Sequence, residues 1–232
     1  MQEIERIEKN RKIPEDCLTK LIKKIGKIQI GTKDQFPFGW RKAGKGRTVW
    51  RILEEVVSQN LEKHHKELGI QSVTPSDSEV SVFDFVIRFD NCLDMYVNIK
   101  SAVTGGRTNK DDISKALGLI QFYEENKNRD LFIATIQITF SPEMFILLEK
   151  CYVMPIAWLP DVYVNPSNNG NLQSSKYKDV AEAKKRSNEE FIIALKAASE
   201  VAIEKRKKVK ALLESVEESG SQDDVGSKAL NK

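Results

Sequence analysis

The residues of this chain best suited to chemistry are an aspartate inside one apolar run and an amide and a lysine on the next. The segment reads VFDFVIRFDNCLDMYVNIKSA, with Asp84 between Phe83 and Phe85, and Ile99 between Asn98 and Lys100. Residues two apart on a strand project from one face, so Asn98 and Lys100 share a face while Val97 and Ile99 turn into core. The short link DNCLD suits an antiparallel hairpin, which brings Asp84 onto the adjacent strand. A carboxylate in the middle of an apolar strand is costly unless it is paired or binds a cation. Together these groups have the parts needed to hydrolyse a phosphodiester. A magnesium ion takes hard oxygen ligands and keeps several waters. Asp84 would supply an anionic ligand, and the Asn98 side-chain carbonyl or the Ile99 backbone carbonyl would add neutral ones. Such an ion acidifies a bound water and offsets charge on the phosphoryl oxygens. Lys100 would orient or deprotonate the attacking water and neutralise charge in the transition state. A glutamate of the preceding helix, Glu54 or Glu55, would complete the shell or hold a ligand water.

These groups need a scaffold, and the pattern around them supplies one. Residues 1–29 alternate charged and apolar positions in a helical way, with Pro14 breaking the run. Residues 31–46 form a loop rich in Gly, Pro and aromatics that contains the basic segment GWRKAGKGR. Thr48 can cap a helix over 49–68 that Gly69 closes. Ile52, Leu53, Val56, Val57 and Leu61 make its buried stripe, with Glu54 and Glu55 flanking that stripe on opposite sides. Residues 74–78 are a turn-rich break before strands over 80–89 and 95–102. The loop TGGRTNK leads to Asp111, a good helix cap, and a helix to about residue 126. LFIATIQITF reads as a central strand covered on both faces, and further strands fit 152–158 and 161–164. The polar stretch NPSNNGNLQSSKYK, 165–178, is too long for a tight turn and too short for a disordered linker, which points to a functional loop. From 179 to about 217 the pattern is one long helix or two in series, with Phe191, Ile192, Leu195, Ala198 and Ala202 as its apolar stripe; 218–232 read as a disordered tail. The element order predicts an α/β fold, a central mixed sheet flanked by helices and followed by a long C-terminal helix.

Composition narrows the field. The chain has 232 residues, 40% of them hydrophobic, without a run long enough to span a bilayer. Its first residues are charged and lack the apolar core of a signal peptide, which argues against export. Three cysteines, Cys17, Cys92 and Cys151, are odd in number and scattered, which suits a reducing cytoplasm better than a disulfide framework or a zinc knuckle. We expect a cytoplasmic protein. The net charge of +3, from 37 basic and 34 acidic residues, permits nucleic-acid binding without announcing it. The clusters at 20–27, 41–51 and 184–210 are, each alone, ordinary solvated surfaces. The only histidines, His64 and His65, are neighbours that a helix would turn apart, so they are a poor metal clamp. Neither a Gly-x-Ser-x-Gly elbow nor a complete Gly-x-x-x-x-Gly-Lys-Ser/Thr loop is present, since Gly46 follows the Gly39–Lys45 match, so any catalysis falls to carboxylates, amides and lysines.

The arrangement FD84 followed by N98-I99-K100 resembles the PD-(D/E)XK nuclease superfamily, the fold of most type II restriction endonucleases. Phe83 stands where the family often has proline, and Asn98 where it usually has an acid; losing that charge should weaken metal binding. The helix RILEEVVSQNLEKH, which carries a glutamate ahead of the hairpin, is similar to blunt-cutting members that recognise six base pairs. In those members a late loop of Asn, Gly, Ser and Thr reads bases, and NPSNNGNLQSSKYKD looks like that loop. The likeness runs from about residue 47 to 179. It implies a restriction-endonuclease-like fold and a magnesium-dependent hydrolysis of double-stranded DNA at a short palindrome, leaving 5′-phosphate ends. It favours Glu55 over Glu54, because a glutamate followed by two apolar residues and a serine matches the family better. One nuclease domain over 1–217 follows: 1–46 a helical arm and basic loop, 47–140 the catalytic core, 141–178 strands and recognition loop, and 179–217 the C-terminal helix.

Further roles follow on the same reading. Asn168, Asn169, Asn171 and Gln173 can pair with adenine, Lys176 with guanine or a phosphate, and Ser174 lies in the same base-reading loop. Thr104, Arg107 and Lys110 would meet the backbone or minor groove, and Arg41, Lys42, Lys45 and Arg47 would clamp phosphates. A palindromic site suits a homodimer in which each subunit cuts one strand. A methyltransferase of matching specificity is expected in the host, though not as a stable partner, and membrane association is not expected. Two other readings stay open: a structure-selective or repair nuclease of the same superfamily, and a DNA-binding module without catalysis.

Overall fold

The run LFIATIQITF is the centre of the molecule. In the computed structural model, which describes residues 2–40, 45–78, 80–90, 94–106, 110–167 and 170–223, it lies within a strand β6 (Asp130–Phe140). β6 pairs in parallel with β4 (Met95–Val103) and antiparallel with β7 (Phe145–Pro155). β3 (Phe85–Arg88) pairs antiparallel with β4, and β2 (Ser72–Pro75) pairs antiparallel with β3. A short strand β1 (Lys27–Gln29) closes the far edge, so the order is β1-β7-β6-β4-β3-β2. Pro75 is tolerated because β2 is an edge strand, where a missing N–H leaves no neighbour unpaired. The sheet is mixed, six-stranded and flanked by helices, as the fold class anticipated.

Register divides the sheet into two faces. On one, Ile99, Ala134, Ile136, Cys151 and Val153 pack beneath α1 (Glu3–Ile25), whose Cys17 lies within electrostatic reach of Cys151. On the other, Tyr96 meets Phe122 of α3 (Ala116–Glu125) with ring centroids 4.9 Å apart. Tyr123 of α3 then meets Phe191 of α4 (Asn188–Asp223) at 6.1 Å. A strand with partners on both edges and helices over both faces has no exposed side, so β6 loses the period-2 alternation of a half-buried strand.

α2 (Lys45–His64) packs against β4 and β2. Its buried residues Val49, Leu53, Val57 and Leu61 recur every four positions, and each contributes roughly 1.5–3 kcal/mol on burial. Ile52, expected in that stripe, is exposed, and Val56 is half-buried. The helix begins at Lys45, so Thr48 lies inside it rather than capping it. At its far end the chain turns through Gly69, whose φ of +72° a glycine adopts without strain.

Other expectations needed correction. α1 runs unbroken through Pro14, whose ring is buried among Ile7, Cys17, Leu18 and Leu21; that burial outweighs the missing backbone hydrogen bond. Thr74 and Pro75, which fall in the break expected over 74–78, belong to β2, and β1 was not anticipated. Asp111 does not cap a helix. It opens β5 (Asp111–Lys115), and α3 starts only at Ala116. The stretch 165–178 is not wholly loop: β9 (Asn171–Ser174) pairs with β5 and with β8 (Tyr163–Val164) in a second, three-stranded sheet. Only a short 3-10 turn occupies 180–182, and α4 starts at Asn188 and extends to Asp223, past the expected end at 217. Among the described residues no helix is long and apolar enough to cross a membrane.

Candidate active site

The site lies where β3 leaves β4. The β3–β4 ladder ends at Phe85 opposite Val97, and Asp84 adds one more rung by donating its N–H to the Val97 carbonyl at 2.8 Å. Beyond that rung residues 98–103 of β4 keep a strand partner only in β6. The Asp84 side chain takes over where the backbone of β3 stops: its Oδ2 accepts the Ile99 N–H at 2.5 Å. In an extended strand the N–H and C=O of one residue lie on one edge, so the Ile99 carbonyl faces the same open edge as the Asp84 carboxylate. Burial pushes the Asp84 carboxyl up from its ordinary value, opposed by the Ile99 hydrogen bond and by the charges of Lys100 and Arg51.

Asn98 lies between Val97 and Ile99, the two β4 residues that Asp84 hydrogen-bonds. Its Nδ2 donates to the Val82 carbonyl at 3.1 Å. Its Oδ1 is buried without a hydrogen-bond partner among the described residues. Lys100 is half-buried on the same face, and its side chain makes no hydrogen bond or salt bridge among the described residues. The three residues picked from the sequence are therefore brought together.

The glutamate is a different one. Glu54, not Glu55, is the α2 carboxylate in electrostatic contact with Asp84, Lys100 and Arg51. Glu55 is exposed and accepts a hydrogen bond from Gln59 one turn on, at 2.6 Å. The cause is helix geometry. With about 100° per residue, Glu54 lies on the flank of the Val49–Leu53–Val57–Leu61 stripe and Glu55 lies opposite it. Burial, and then repulsion from Asp84, push the Glu54 carboxyl up to about 7, with Lys100 and Arg51 pulling the other way. Arg51, exposed and one turn before Glu54, lies 4.0 Å from its Oε2. Arg51 was visible in the sequence only as part of a basic cluster. The (i, i+3) spacing of Arg51 and Glu54 was the signal that could have singled it out.

Two desolvated carboxylates that repel each other, beside an amide oxygen with no partner, form a set that a hard cation relieves. Among the described residues no group of three or more His, Cys, Asp or Glu is placed to hold a metal. A magnesium ion here would draw on the Asn98 and Ile99 oxygens and on waters as well as on Asp84 and Glu54, a donor set within its chemistry.

The expected nucleic-acid contacts fare unevenly. Ser174 is fully buried and donates its hydroxyl to Asp161, which makes it a structural tie rather than a base reader. Gln173 is half-buried on β9, where its Nε2 donates to Asp112 at 2.7 Å. Asn171 is half-buried on the same strand and Lys176 half-buried just after it. Lys110 is exposed, its ammonium 4.0 Å from the centre of the Tyr163 ring. Thr104 is exposed in the turn after β4, and its hydroxyl donates to Glu149 at 2.8 Å. Arg41, Lys42, Arg107, Asn168 and Asn169 lie outside the described residues, as do the side chains of Lys45 and Arg47.

Comparison with known proteins adds a likeness among solved structures. No protein-family model matches the chain, and no curated protein matches it. Among solved structures the chain is similar to NlaIV restriction endonuclease, at 12% identity and a TM-score of 0.43, over 68% of this chain and 69% of that one.

Proposed function

We propose that the chain is a magnesium-dependent nuclease of the PD-(D/E)XK type, a type II restriction endonuclease that hydrolyses double-stranded DNA at a short palindrome as a homodimer. The observation that carries this reading is the meeting of Asp84, Asn98, Lys100 and Glu54 at the open edge of β4. A protein built only to bind has little reason to hold two repelling carboxylates and an orphaned amide oxygen together. Each is costly in the folded chain, the unpaired oxygen alone by about 1–3 kcal/mol.

Magnesium bound by Asp84, Glu54, Asn98 and the Ile99 carbonyl would supply Lewis acidity to the phosphoryl oxygen and to a bound water. The chain's own residues do the rest. The Ile99 N–H fixes the Asp84 carboxylate, and Val82 fixes the Asn98 amide. Lys100 presents its ammonium to the phosphate oxygens and orients the water opposite the leaving O3′. Water loses one proton to solvent as its oxygen bonds to phosphorus, the P–O3′ bond breaks with its electron pair left on O3′, and O3′ takes a proton from solvent, leaving 5′-phosphate and 3′-hydroxyl ends.

The strand and turn around Asn171, Gln173 and Lys176 are the part of the described chain best suited to reading bases, now without Ser174. Incubation with plasmid DNA and magnesium, followed by sequencing of the ends, tests the function. Discrete fragments with one common end sequence support a restriction endonuclease. A smear, or cutting confined to branched substrates, favours a structure-selective nuclease instead.

A further inference from the structure

One strand away from Lys100 a pocket of about 240 Å³ opens on the face of the sheet that carries the site. Thr135, Gln137 and Tyr152 line it from the sheet, and Lys178 and the turn at 104–106 line it from the loops. Thr135 is the register partner of Lys100 on one side and of Tyr152 on the other, so the three side chains share one face. Thr135 is fully buried, and its Oγ1 has no hydrogen-bond partner among the described residues. A valine would fill the same space without an unmet hydroxyl, so the fold itself gains nothing from this oxygen.

The neighbouring polar groups are held in place. Gln137 Nε2 donates to Thr104 Oγ1 at 3.1 Å, and the Tyr152 hydroxyl lies 3.5 Å from Gln137 Oε1. Glu149 accepts from the Thr104 and Thr139 hydroxyls and is engaged by both. No carboxylate lines the pocket itself, and Lys178 makes no salt bridge among the described residues. An ammonium and an unpartnered hydroxyl without a competing acid suit a phosphate oxyanion.

We propose that this pocket is a phosphate subsite, which seats the nucleic-acid phosphate adjoining the one cleaved. Lys178 supplies the charge and the Thr135 hydroxyl supplies a donor, while Tyr152, whose proton goes to Gln137, forms the wall. The assignment rests on the nuclease reading and adds residues to its substrate path. The Thr135 hydroxyl finds its partner only when substrate is bound, which accounts for its keeping a polar atom that the free protein leaves unused.

The test measures binding of the full-length chain to a short duplex without magnesium, across a range of salt, for wild type, Lys178→Gln and Thr135→Val. Lys178→Gln should weaken binding about tenfold and lower the slope of log K against log salt by about 0.9, the value of one lost phosphate contact. Thr135→Val should weaken binding about threefold to tenfold, the range of one modest hydrogen bond, while its melting temperature holds or rises. Inorganic phosphate should compete with the duplex for wild type beyond its ionic strength, and not for Lys178→Gln. If both variants bind DNA as wild type does while wild type cuts it, the subsite is wrong and the nuclease reading stands. The subsite is equally wrong if binding of free phosphate depends on Lys178 but duplex affinity does not. A Thr135→Val protein that melts several degrees lower assigns the hydroxyl a structural role and overturns its place here. If wild type neither binds nor cuts DNA, the subsite and the nuclease reading fall together.

Discussion

Asp84 Oδ2 accepts the Ile99 N–H at 2.5 Å, so a side chain completes the hydrogen bonding that the backbone of β3 gives up one residue earlier. This single bond aims the carboxylate along the open edge of β4. It also leaves the Ile99 carbonyl, on that edge, free of a neighbouring strand. A carboxylate on a loop would need several contacts to be held as firmly.

Glu54 and Glu55 are neighbours in sequence and lie on different faces of α2. On the proposed function Glu54→Gln should lower kcat/KM for DNA cleavage by about a hundredfold, a typical loss for one positioned ionisable group. Glu55→Gln should stay within about twofold, as expected of an exposed surface group. Steady-state cleavage of one defined duplex by the two variants checks this pair directly.

The same carboxylate makes the metal-free protein sensitive to pH. Glu54 has its pKa raised from 4.5 to about 7, and Asp84 shifts in the same direction. A raised carboxyl pKa means the folded state holds its proton more tightly than the unfolded state. The associated stability is therefore full below the ordinary value and is lost as pH rises through about 7. Thermal melts in chelator should show wild type losing stability between about pH 5 and 8. At the upper end Glu54→Gln should be more stable than wild type by roughly 1–3 kcal/mol, the worth of one to two pKa units. Added magnesium should narrow that gap.

Ser174 was expected to face DNA and is instead buried against Asp161. Ser174→Ala should therefore destabilise the fold by about 1–3 kcal/mol, the cost of leaving a partner unmet. The sequence of any cleaved ends should not change. Chemical denaturation and end sequencing of the variant separate the two roles.

Cys17 of α1 and Cys151 of β7 are both buried and free, and burial pushes their thiols up to about 11 and about 12. The thiolate is the reactive form, so both should resist an alkylating agent at pH 8 until the chain unfolds. Peptide mapping after labelling with and without denaturant checks this.

How much of this could be read in advance depended on whether a residue's surroundings are local. LFIATIQITF carries no charge over ten positions, and only a strand covered on both faces explains that, so β6 was legible. The Asp84–Asn98–Lys100 group was legible because a hairpin and a period of two are both short-range rules. The fate of Asp111 was not. Its side chain suits a helix cap, but pairing with β9, some sixty residues on, made it the first residue of a strand. Ser174 likewise looked like a loop hydroxyl until Asp161 was folded against it. The choice between Glu54 and Glu55 was within reach. Drawing the α2 stripe through Val49, Leu53, Val57 and Leu61, without Ile52, turns Glu55 to solvent by geometry alone.

The central claim, that the Asp84 edge of β4 hydrolyses DNA with a divalent cation, is tested most directly with supercoiled plasmid, with and without magnesium. Wild type and Asp84→Ala are compared, and duplex binding of both is measured alongside. The expected result is cleavage by wild type only with magnesium, a loss of at least about a thousandfold for Asp84→Ala, and similar DNA affinity for the two. Cleavage that persists in Asp84→Ala, or a wild type that binds DNA and leaves it intact with magnesium, would contradict the account.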